Sequence, residues 1–141
     1  MTPKDGGAPE GYSVWSHNDR FEHTVGPIFI APRSDGSGWK VAFRADERHI
    51  NGHGNLHGGM LMTFADTALF AISRDHLDHG GITVNFHCDF VGPARPGDWM
   101  EAQGEVVKAT RNLIFVRGLM TATGEPVLSF GGTLKKLGPR K

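Results

Sequence analysis

The sequence predicts an α+β domain in which a mostly antiparallel sheet of five to six strands wraps around one long buried helix. Three observations carry that expectation. The run from Met60 to Ile72 is apolar around a whole 3.6-residue wheel, several other segments alternate apolar and polar side chains with period two, and clusters rich in Gly, Asp, Asn and Pro separate them. At 141 residues the chain is long enough for one domain with its own core.

Taken in order, residues 1–25 read as an extension ahead of the domain proper. Its first eleven residues, rich in Gly and Pro, are expected to be disordered or loosely draped, and residues 13–23 to form a short helix. The domain is expected to span residues 26–137, with residues 138–141 as a tail. Residues 27–32 read as a strand, Ser34-Asp-Gly-Ser-Gly38 as a hairpin turn, and residues 39–45 as a second strand. In that strand Trp39, Val41 and Phe43 point one way and Lys40 and Arg44 the other. A polar loop, residues 46–56, leads into the helix, which ends around residues 74–76 before the Asp78-His-Gly-Gly81 break. Residues 82–91 then set Ile82, Val84, Phe86, Cys88 and Phe90 against Thr83, Asn85, His87 and Asp89. Residues 99–108 turn Met100, Ala102, Gly104 and Val106 inward, and residues 113–122 and 127–136 complete the sheet.

One residue violates the helix. Asp66 stands between Met62 and Phe70, one turn away on either side, where an ionised carboxylate costs several kcal/mol unless it is compensated. Its bland explanation is a structural carboxylate bonded to nearby backbone or hydroxyl. The residues before the helix suggest more. Asn55 is a good N-cap, and Gly58 and Gly59 fill the first turn, where N–H groups lack intrahelical acceptors and the dipole adds positive charge. A glycine pair there suggests close approach by a ligand oxygen, against the alternative of tight packing on a neighbouring backbone. Gly58 and Asp66 are, however, separated by roughly 12 Å along the axis. A carbonyl-polarising donor and a base or nucleophile must both lie within about 3 Å of the reacting group. If both act in one site, a second antiparallel helix must supply the other half across a dimer two-fold. A helix that needs cover on all sides, wrapped by only one sheet, also favours association.

Fifteen basic and fifteen acidic residues balance to zero, leaving no basic excess to suggest a nucleic-acid partner. The single Cys88 excludes an intrachain disulfide, fits a reducing compartment, and reads as core rather than nucleophile. Residues 1–12 show no apolar leader and no run reaches bilayer length, so a cytoplasmic protein without membrane attachment is expected. His49, His53 and His57 recur every fourth residue, but Gly52 and Gly54 make that stretch a loop. No metal site is expected. The glycines also lack the Lys-Ser/Thr of a phosphate loop.

The stretch Asn51-Gly-His-Gly-Asn-Leu-His-Gly-Gly59 followed by Asp66 resembles the N-x-x-G-x-L-H-G-G-x6-D signature of PaaI-type acyl-CoA thioesterases of the hotdog fold. The layout from about residue 26 to 137, with its Pro93-Ala-Arg-Pro-Gly-Asp98 loop, resembles them too. The resemblance implies hydrolysis of an acyl-CoA thioester to acid and coenzyme A, without a cofactor or metal, in a dimer or a dimer of dimers. It gives the Gly58 N–H the oxyanion and Asp66 of the partner subunit the role of general base or nucleophile. Asn51 would position water or the substrate carbonyl, and His57 the thioester or its sulfur, unless it merely bonds a neighbouring carbonyl. Thr83 would stand beside the carboxylate, and Gly59 would contact substrate. For the coenzyme A phosphates the candidates are Arg95, Lys108, Arg111 and Lys135 or Lys136, each also readable as a solvated charge. Two other readings compete. One is a hotdog hydratase or dehydratase, whose H-F-P-G-type loop is absent. The other is a non-catalytic acyl-CoA sensor, which has little use for Asp66.

Overall fold

The computed structural model describes residues 7–15 and 19–139. Seven antiparallel strands form one sheet in the order β1-β2-β3-β5-β6-β7-β4: β1 (Ser13–Val14), β2 (Phe29–Pro32), β3 (Trp39–Arg44), β4 (Gly81–Phe90), β5 (Trp99–Ala109), β6 (Leu113–Ala122) and β7 (Glu125–Lys136). The sheet curls around α2 (Gly58–Ile72), which touches β3 to β7, and a short α1 (Arg20–Val25) lies between β1 and β2. The expected α+β class and the wrapped helix are what the chain adopts. The disorder expected for the first eleven residues falls, for residues 1–6, outside the described residues, as do residues 16–18 of the expected N-terminal helix and residues 140–141 of the tail.

The seventh strand comes from the segment expected to be a helix. Ser13 and Val14 pair with Ile30 and Phe29, and the Trp15 N–H donates to the Ile28 carbonyl while its ring is buried. The helix starts later, where Asp19 caps it by accepting from the Glu22 N–H.

The core joins both layers. Phe43 of β3 meets Phe64 of α2 edge-on at 4.6 Å, with Leu69, Met100, Ile114, Met120, Leu128 and Leu134 fully buried around them. β5 turns Met100 and Ala102 inward as its alternation requires, and the β6–β7 hairpin closes through Thr123 and Gly124, both at positive φ. At Gly132, β7 comes so close to the helix that an added Cβ would meet Leu69 Cδ1 at 2.5 Å and the Asn85 carbonyl at 2.7 Å.

Two expectations are corrected. The helix is not buried all round: Met62, Thr63, Asp66 and Phe70 form an uncovered stripe along one face, with Met62 39% exposed. Asp66 is therefore half-buried, which lowers the cost of its charge. β4 does not keep one alternation either. A bulge between Thr83 and Asn85 shifts its register on β7, so that Thr83, Phe86 and Cys88 share the inner face while Ile82 and Val84 point out.

Gly132→Ala is expected to lower unfolding stability by about 1–3 kcal/mol in a denaturant titration, because a backbone carbonyl cannot yield as a side chain can. An unchanged midpoint would show that β7 does not approach Leu69 of α2 and the Asn85 carbonyl of β4 this closely.

Candidate active site

The first turn of α2 is where the unpaired donors must be accounted for. The cap is His57, not Asn55 as expected. Its Nδ1 accepts from the Gly59 N–H at 2.8 Å, and its carbonyl accepts from the N–H groups of Met60 and Leu61. Gly59's donor is thus taken, which removes it as an amide for substrate. A side chain at Gly59 would strike the His57 ring at 2.9 Å, so the second glycine serves the cap. That leaves the Gly58 N–H, which has no acceptor among the described residues. With Nδ1 accepting, the proton of the neutral His57 ring sits on Nε2, and the exposed ring offers a second donor beside Gly58.

The loop before the helix is a closed unit that fixes this turn. His49 is 3% exposed, accepts from the Asp46 N–H at its Nδ1 and donates from Nε2 to the Val25 carbonyl at 2.7 Å. Its own carbonyl receives the His57 N–H. Both ring nitrogens of His49 are therefore occupied by backbone. Asn51 Oδ1 accepts from the N–H groups of His53 and Asn55, and Ile50 pairs with Leu56, so the loop returns on itself. The Asn51 amide nitrogen, by contrast, has no acceptor among the described residues, and is a donor held in place through its own oxygen.

Two turns along α2, Asp66 Oδ1 accepts a 2.6 Å hydrogen bond from the Thr83 hydroxyl. The bulge makes this contact possible, since strict alternation sets Thr83 on the face opposite Phe86. The second carboxylate oxygen has no hydrogen-bond partner among the described residues. The bland account of Asp66 holds for one oxygen only.

The structure brings Asp66 and Thr83 together, and His57, Gly58 and Gly59 together with Asn51 in the loop that leads to them, opposite Asn55, but keeps the two groups apart. β4 links them and runs antiparallel to α2. Its Thr83 end meets Asp66, and its other end lays the Phe90 ring against Gly58, where a Cβ would touch the ring at 3.2 Å. The cations divide the same way. Lys108 and Arg111 flank the β5–β6 turn and Lys135 pairs with Ile82 and Leu113, all at the Asp66 end. Arg95 follows Ala94, whose carbonyl receives the Leu56 N–H at the Gly58 end. All four are exposed, and no carboxylate pairs with them among the described residues. Alternation turns Lys135 away from buried Leu134 and the helix, and Lys136 toward it.

Two residues carry weight that sequence reasoning misses. His49 enters it only as a possible metal ligand, although a histidine in a turn rich in backbone donors and acceptors is a natural anchor. Phe90 enters it only as one more apolar residue of a strand, and nothing in the sequence places it on Gly58. Cys88 packs on the core, and burial, then the Asp89 charge, push its thiol above the ordinary value, which disfavours the thiolate.

A curled antiparallel sheet around one helix, with an open amide at the helix start and a carboxylate two turns on, defines a hotdog-fold hydrolase. The sequence model described as Thioesterase superfamily matches residues 53–128, and the chain belongs to that superfamily. It is 34% identical over 128 residues to the Pseudomonas aeruginosa protein named "Putative esterase PA0474", spanning 88% of this chain and 93% of that one. To human acyl-coenzyme A thioesterase 13 it is 28% identical, over 84% of this chain and 85% of that one. A mutant of the phenylacetic acid degradation protein PaaI from Thermus thermophilus superposes with a TM-score of 0.72 at 26% identity, covering 84% of this chain and all of that one. No helix of the described residues is long and apolar enough to cross a membrane.

The raised Cys88 value means that the proton is held to higher pH than in a free thiol. Iodoacetamide at pH 8 is expected to label Cys88 more slowly than an unstructured cysteine peptide, with the gap narrowing as pH rises; equal rates at pH 8 would contradict the burial. Thr83→Val is expected to reduce turnover about 10- to 100-fold, the worth of one hydrogen bond to a charged group, while Thr83→Ser keeps most of it. Equal loss in both variants would assign Thr83 a packing role.

Proposed function

We propose that the protein hydrolyses acyl-CoA thioesters to the free acid and coenzyme A at two equivalent sites built across a dimer two-fold, with residues 26–137 as the catalytic unit. The observation that carries this reading is the placement of the open Gly58 donor and the half-free Asp66 carboxylate at opposite ends of one edge strand, β4, which pairs with β7 on its inner side only. β4 closes the sheet on one side, and Ile82, Val84, Phe90 and the following Val91 are exposed there at 50–56%. Antiparallel pairing of two β4 edges, with Thr83 opposite Phe90 of the partner subunit, brings Asp66 to Gly58 of the partner subunit. It also joins Lys108, Arg111 and Lys135 with Arg95 of the partner subunit around one mouth, where the coenzyme A phosphates need cations.

In this site the Gly58 N–H at the helix start holds the thioester carbonyl oxygen and the charge that develops on it, a contact worth about 10²–10³ in rate. The Asn51 amide, fixed by its oxygen, and the His57 Nε2–H donate to the same region, to the carbonyl or the sulfur. From the other subunit, the free oxygen of Asp66 either takes a proton from an attacking water or attacks the carbonyl carbon itself. Both routes need the geometry that Thr83 imposes. In the first route the C–S bond then breaks and the thiolate of coenzyme A takes the proton that Asp66 accepted from water. In the second the C–S bond breaks to leave an anhydride between the acyl group and Asp66, which water hydrolyses to the free acid and the Asp66 carboxylate while supplying the thiolate with its proton. No step calls on a metal or cofactor. The balanced charge and lone thiol fit an enzyme of the cytoplasm, working as a dimer or a dimer of dimers.

Asp66→Asn is expected to lower kcat about 10²–10⁴-fold and leave the fold intact. The sharper experiment mixes two inactive variants, Asp66→Asn and Asn51→Ala, after joint unfolding and refolding. Random pairing puts half of the molecules in mixed dimers, each with one intact composite site, so about a quarter of native activity returns. No recovery, with mixed dimers shown by mass spectrometry, would place both residues in one subunit's site and end the proposal.

A further inference from the structure

The uncovered stripe of α2 does not stop at Asp66. Phe70 continues it one turn on, about 6 Å further along the axis, and forms part of the wall of a cavity of about 720 Å³. Ile30 of β2, Trp39 of β3 and Leu77 after the helix close this space from the domain side. Val14 and Trp15 close it from the N-terminal segment.

The polar groups of this cavity are turned to each other. Thr67 Oγ1 and Trp15 Nε1 each donate to Glu22 at 3.0 Å, one to either oxygen. The Arg74 guanidinium lies on the face of Trp39 at 4.5 Å, and Trp39 Nε1 donates to Asp75. Ser13 and Asp19, whose carboxylate caps α1, also border the space, and aromatic faces, aliphatic side chains and the Gly80-Gly81 backbone make up the rest of its wall.

We infer that this cavity receives the tail of an uncharged, apolar acyl group, and that the segment around β1 and α1 sets how long that tail can be. The inference rests on the thioesterase reading for the direction of the chain: with the carbonyl carbon at Asp66, the acyl carbons run along the stripe to Phe70 and into the cavity. Specificity then depends on an N-terminal segment that carries none of the catalytic groups.

The test separates binding from chemistry. S-alkyl coenzyme A thioethers, which cannot be hydrolysed, are titrated calorimetrically from ethyl to decyl, and the matching acyl-CoAs are assayed for thiol release. Native affinity is expected to rise about two- to four-fold per methylene, giving a decyl-to-butyl ratio of at least about fifty. Leu77→Trp fills the cavity from within. Val14→Trp fills it from a two-residue edge strand, and circular dichroism checks that the variant is folded. In either variant the ratio is expected to fall below about five. Affinity independent of chain length in the native protein, or an undiminished ratio in the folded Val14→Trp variant, would overturn the inference. Chain-length-dependent binding without release from any acyl-CoA would uphold the cavity and overturn the hydrolase.

Discussion

An α-helix cannot bring its first amide and a side chain two turns later to the same carbon atom. Gly58 and Asp66 both lie on α2, roughly 12 Å apart along it, and every other feature of the site is arranged around that separation. β4 spans the gap as a ruler. Thr83 is bonded to Asp66 at one end and Phe90 packs on Gly58 at the other. A strand that marks both positions and is itself a free edge is the element through which two copies can exchange them. The division of cations along the same strand follows the same logic.

The donors at the helix start show how a short motif is used. Of the four N–H groups at the start of the helix, three are taken by His57, through its ring and its carbonyl. Only the Gly58 amide is left over. The pair of glycines thus splits its work: the first lets a ligand, or the Phe90 ring, approach the backbone, and the second gives the His57 ring room to cap. Behind them His49 ties the loop to Val25 and Asp46, so the open amide is held on a rigid frame rather than a mobile one.

Much of this is legible in the sequence, and the rest is hidden for physical reasons. The apolar run marks the helix, six of the seven strands are read in the sequence, three of them by period-two alternation, and Asp66 declares itself by its misplaced charge. β1 escapes notice because two residues carry no readable periodicity; their strand exists only because β2 offers an edge. The bulge in β4 escapes it because alternation counts residues and cannot see one that is skipped. It is the skip that turns Thr83 toward Asp66. The N-cap is misplaced because Asn55 is the better cap by residue type, whereas the Asn51 turn and the Ile50–Leu56 bridge draw Asn55 into the loop and leave His57 at the helix start. Local preference loses to loop closure at that point, as it does to sheet pairing at β1.

β4 carries little of the protection that edge strands commonly have. It holds no Pro and no Lys, and Ile82, Val84 and Phe90 are at least half exposed along it. A bulge normally deters pairing, but this one lies near the strand's start and leaves the stretch from Asn85 to Phe90 in regular register with β7. β4 is thus an apolar, regular, unblocked edge, and it also joins the two residue groups of the proposed site. In the dimer we propose, a second copy paired antiparallel would cover the edge and the open stripe of α2 in the same act that completes the chemistry. On that proposal the exposed edge and the divided site are one property of the isolated chain, not two.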